Sequence, residues 1–95
     1  MQKNYRREMS ITHKDFFRLL PIALKGLDYQ INANEVNVSA FNGTFLIELG
    51  DERQRKIASL TLPVLDVSFD FRGIAAEDVD SFLSKFWHVY QRGGG

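Results

Sequence analysis

The sequence predicts an α+β fold: a two-layer sandwich whose antiparallel meander of four or five strands carries an N-terminal and a C-terminal helix on one face. Three observations predict it. Apolar residues recur at helical spacing near both ends of the chain. Between the ends they alternate with polar residues, as strands with one buried face require. That alternation changes parity at Ala33-Asn34 and at Asn42-Gly43, as two-residue hairpin turns impose.

The elements follow in order. Residues 1–11 form an arm or a short edge strand, in which Tyr5, Met9 and Ile11 share one parity. Residues 12–92 form one domain, and residues 93–95 a flexible glycine tail. The first helix opens at Thr12, a suitable N-cap with Asp15 three residues on. Phe16, Leu19, Leu20 and Ala23 make its stripe, widened by Phe17 and Leu24. Pro21 removes one backbone bond from it, and Gly26 is a stop signal.

In the strand region, a turn at Ala33-Asn34 pairs Ile31 with Val36 and Tyr29 with Val38. A turn at Asn42-Gly43 pairs Ala40 with Phe45, Val38 with Ile47 and Val36 with Leu49. "GDERQR" reads as a polar connection. Leu60 and Leu62 are even-numbered, whereas Leu65, Val67, Phe69 and Phe71 are odd-numbered. Either a turn at Pro63-Val64 or a bulge at Pro63 accounts for that switch. The last helix begins with Glu77, Asp78 and Asp80, which suit its dipole. Its apolar stripe is Val79, Phe82, Leu83, Phe86 and Tyr90.

Composition narrows the function classes. The 12 Lys+Arg balance the 12 Asp+Glu, without the basic excess of a nucleic-acid binder. The absence of cysteine excludes disulfides, thiolate metal sites and a Cys nucleophile. With no apolar leader and no long apolar run, the expected chain is soluble and cytoplasmic, with no membrane partner.

Four features are candidates for chemistry or contact. His13 and His88 are the two histidines, and the plainer reading of both is a surface histidine near a helix end. Asp66, Ser68 and Asp70 alternate on an outer strand face near Glu48; they suit a hard cation or acid–base work, or simply a solvated face. Phe41 and Leu46 fall on the polar sheet face, whose neutral-to-acidic character fits protein contact better than nucleic acid. Trp87 and Val89 lie beside the last helix's stripe and, with Tyr90, broaden its apolar surface. Either a partner or the N-terminal segment covers them.

No nucleophile constellation and no phosphate loop is present, which points away from an enzyme; no cofactor or metal is expected. The final glycines resemble the Gly-Gly end of ubiquitin-like and sulfur-carrier proteins. That resemblance covers only the last residues and implies an activated carboxylate at Gly95. Helical spacing runs almost to Gln91, however, where a carrier's tail leaves a strand. The expected function is therefore non-catalytic: protein–protein contact, with self-association as a homodimer through an edge strand or the Trp87 surface. The alternatives are a small-molecule or catalytic pocket between sheet and helices, and a Gly-terminal carrier.

Overall fold

The computed structural model describes residues 4–92. The predicted α+β class holds, with six strands and two helices: β1 Asn4–Met9, α1 His13–Ala23, β2 Asp28–Asn32, β3 Glu35–Ala40, β4 Gly43–Leu49, β5 Arg53–Ile57, β6 Leu60–Asp70 and α2 Ala76–Arg92. The sheet order is β1-β6-β4-β3-β2, with β5 also on β6, and every pairing is antiparallel. Among the described residues no helix is long and apolar enough to cross a membrane.

Local chemistry explains most boundaries. Thr12 caps α1 by accepting a hydrogen bond from the Asp15 amide at 3.1 Å. Pro21 lies inside α1, and Gly26 takes a φ of 84° just beyond it. Ala33 takes the left-handed φ of 55° in the β2–β3 turn, and Ile31 pairs with Val36 and Tyr29 with Val38 as predicted.

The β3–β4 register differs from the expected one by one turn residue. The turn is Phe41-Asn42, with φ of 57° and 63°, so Val38 faces Phe45 and Val36 faces Ile47. The cause is packing at Gly43. A Cβ there would lie 2.8 Å from the Gly73 carbonyl oxygen and 3.1 Å from Ile74 Cδ1. Gly43 is therefore needed in the strand, beneath the β6–α2 connection, and the turn moves back one residue. Val36 and Val38 stay on the core face because the shift preserves parity.

The polar stretch "GDERQR" is not a plain connection, since Arg53 begins a strand. Nor is Pro63-Val64 a turn or a bulge: both residues lie within the continuous β6. The turn is Ala58-Ser59, with Ala58 at a φ of 54°. The bulge sits on the opposite strand. Gly50 donates to the Asp66 carbonyl and Arg53 pairs with Val64, so Asp51 and Glu52 together face Leu65. The β4 and β5 strands thus run along one edge of β6 as a single bent hairpin. Pro63 is tolerated because its ring nitrogen faces the other edge, past the end of β1 at Met9.

One core results. Odd-numbered residues of β6 and β4, with Val36 and Val38, meet Phe16, Leu19 and Leu20 of α1 and Val79, Phe82 and Phe86 of α2. Aromatic edges lock the layers: Phe45 on Phe82 at 4.8 Å and Phe69 on Phe86 at 5.3 Å. Among the described residues none of the buried ones is polar or charged apart from the Tyr90 hydroxyl, which is paired.

Candidate contact surfaces

The outer sheet face is where the polar residues collect. The β1–β6 register sets Glu8 directly opposite Asp66, an unfavourable like-charge pair. Three arginines resolve it. Arg53 donates to Asp66 at 3.1 Å and reaches Glu8 at 3.4 Å, Arg55 donates to Glu8, and Arg6 lies 3.6 Å from Asp66. The Glu8 carboxyl is held below its ordinary range by its hydrogen bond and charge pairing with Arg55, with Arg53 adding to this. This network fastens the base of the β5–β6 hairpin to β1. At the other end of β6, Arg72 grips Asp70 through its guanidinium and backbone amide. That lowers the Asp70 pKa and raises that of Arg72. Of the candidate cluster, Asp66 and Asp70 thus go to two different sets of arginines, and Glu48 lies opposite Ser68 between them.

Beyond the network the hairpin becomes an arm. Every residue of β5 is exposed, as are Ala58, Ser59, Leu60 and Thr61. The two-residue turn places Ile57 directly opposite Leu60, on the outer face. They are 51% and 61% exposed, among the most exposed large apolar side chains described. Leu62 and Val64 continue the stripe toward the domain, with Val64 already buried. Here the apolar stripe of β6 passes from odd-numbered to even-numbered residues: where no helix covers the inner side, it lies on the outer one.

The sequence-derived candidates fall in different places. Tyr90 is not on the surface; it is 1% exposed, and its hydroxyl donates to the Phe16 carbonyl at 2.8 Å. Trp87 is half-buried under its own N-terminal strand, with the Arg7 guanidinium 4.7 Å above its ring and Phe69 and Phe86 against its edges. Phe41 is half-buried against the core at the β3–β4 turn. Leu46 stays half-buried on the outer face, opposite Asp70 and Asn37, and Val89 is half-buried on α2. His13 ties α1 to the β4–β5 bulge: its amide donates to Glu52, and its Nε2 lies 2.8 Å from the Gly50 carbonyl. His88 is exposed on α2.

Ile57 and Leu60 did not stand out in the sequence. The signal was the alternation of Arg53, Arg55 and Ile57 with Leu60 and Leu62 about a two-residue turn, masked because the turn is Ala-Ser rather than Asn-Gly. The glycine-tail reading concerns residues outside those described. Comparison with known protein families, with curated proteins and with solved structures found no match.

Proposed function

We propose that this chain is a non-catalytic contact domain that works by protein–protein association, with the β5–β6 arm as its docking surface. The exposed Ile57–Leu60 pair carries the reading: two large apolar side chains held opposite each other on a projecting hairpin, with Leu62 behind them. Arg55, the next residue on that face, is already paired with Glu8, so the complementary surface is chiefly apolar. The apolar core between sheet and helices supports this reading over an internal ligand pocket.

The test is co-purification from the source cells with the wild-type chain and with an Ile57→Ser/Leu60→Ser variant, folding being verified by near-ultraviolet circular dichroism. A partner retained by the wild type and lost by the variant is the expected result. Equal recovery by both overturns the assignment of the arm.

A further inference from the structure

The five-strand path β1-β6-β4-β3-β2 ends in two edge strands, and they are not alike. On β1 the sequence runs Tyr5, Arg6, Arg7, Glu8. A second copy of β1 laid antiparallel about this stretch sets arginine against arginine, which repels. On β2 the sequence is Asp28, Tyr29, Gln30, Ile31, Asn32, with none of the lysine, proline or bulge that guards natural edges.

The hydrogen-bonding phase of β2 follows from its turn. Asn32 and Glu35 flank two turn residues, so they form a hydrogen-bonded pair, and such pairs alternate along the ladder. The backbone groups of Asp28, Gln30 and Asn32 therefore point to β3, and those of Tyr29 and Ile31 point away. Ile31 is also 51% exposed although it lies on the core face of the sheet.

We propose that β2 pairs antiparallel with β2 of a second copy, about a twofold axis through Gln30, to make one continuous sheet. This register brings Tyr29 opposite Ile31 of the other copy and Ile31 opposite its Tyr29. Those residues carry the free amides and carbonyls, so the two strands exchange four hydrogen bonds. The exposed Ile31 gains an aromatic neighbour on the helix side. On the outer side Asp28 meets Asn32 and Gln30 meets Gln30, with no like charges opposed. Both copies keep their helices on the same side, so the core layer is continuous too. The β1 edges remain at the ends of the joined sheet, and their arginines oppose further growth. The proposal deepens the contact reading by making a second copy one partner, and its failure leaves the arm's docking role standing.

The chain has no cysteine, so a single introduced one reports cleanly. At the twofold, Gln30 would form a non-hydrogen-bonded pair with Cα atoms about 4.5 Å apart, a separation a disulfide spans. In a glutathione buffer Gln30→Cys is expected to cross-link at least about tenfold faster than Ser59→Cys on the arm turn, as a preformed pair raises the local thiol concentration. Adding Ile31→Lys is expected to remove that advantage, and Ile31→Lys alone to turn a concentration-dependent dimer into a monomer in sedimentation equilibrium from about 10 μM to about 1 mM. A wild-type chain that stays monomeric throughout overturns the proposal. So does equal cross-linking of the two cysteine variants. A dimer that dissolves on Ile57→Ser/Leu60→Ser but not on Ile31→Lys moves the interface to the arm.

Discussion

The hydroxyl of Tyr90, near the end of α2, donates a 2.8 Å hydrogen bond to the backbone carbonyl of Phe16 in the first turns of α1, while the two rings stack at 5.0 Å. Tyr90 thus joins the two helices by an apolar contact and a polar one at the same point. Burial pushes its phenol well above the ordinary tyrosine range. The unfolded chain ionises first, near pH 10. Stability contributed by the neutral phenol is therefore complete below that pH and declines as pH rises above it. Tyr90→Phe is expected to cost about 1 kcal/mol at neutral pH and to flatten the alkaline decline, as read by urea unfolding across pH 8 to about 11.

Gly43 is the second point where one atom decides local structure. Gly43→Ala places a methyl group 2.8 Å from the Gly73 carbonyl oxygen, which is backbone and cannot swing aside. The expected loss is about 1–3 kcal/mol, as for other overpacked sites. Ala58→Gly should act the other way. It removes the cost of a left-handed alanine at a φ of 54° and is expected to raise stability by about 1 kcal/mol. Thermal unfolding of both variants checks the pair.

Trp87 is the single tryptophan of the chain and reports on its own cover. Arg7→Ala removes the guanidinium stacked 4.7 Å from its ring. The expected changes are a red-shifted fluorescence maximum, faster acrylamide quenching and a loss of about 0.5–1 kcal/mol. Unchanged emission would mean that β1 does not cover the indole.

Glu8 and Asp70 set the acid side. Arginine partners hold both carboxyls below their unfolded values, so their contribution is present above the ordinary carboxylate range and fades as pH falls through the lowered values. Glu8 is exposed and Asp70 is half-buried but open to solvent on the outer face, so the slope is shallow and weakens with salt. In acid titrations monitored by circular dichroism, Glu8→Gln should remove part of the salt-sensitive slope.

Much of this fold was legible because local chemistry and pattern agreed. Thr12 with Asp15 marked the start of α1, Ala33-Asn34 set the β2–β3 register, and the spacing from Val79 to Tyr90 marked α2. What escaped had a tertiary cause. Asn42-Gly43 is the stronger local turn signal, but the approach of Gly73 to Gly43 moved the turn to Phe41-Asn42. The β5 strand, "RQRKI", lacks a buried face, so no run of alternating apolar residues announced it; β6 and the carboxylates of Glu8 and Asp66 hold it instead. Of the expected contact residues Phe41, Leu46, Trp87, Val89 and Tyr90, none is fully exposed: Arg7 on β1 covers Trp87, Tyr90 is bonded to Phe16, and the other three are half-buried, whereas Ile57 and Leu60 on the arm stay outside.

The central claim is that the arm is where this chain meets another protein. A photoreactive phenylalanine analogue in place of Leu60, irradiated in the source cells, tests it most directly. The account predicts a discrete cross-linked product, suppressed by excess wild-type chain but not by the Ile57→Ser/Leu60→Ser variant. A probe at Leu60 that yields no product beyond that of the same probe at exposed Glu48 would contradict it.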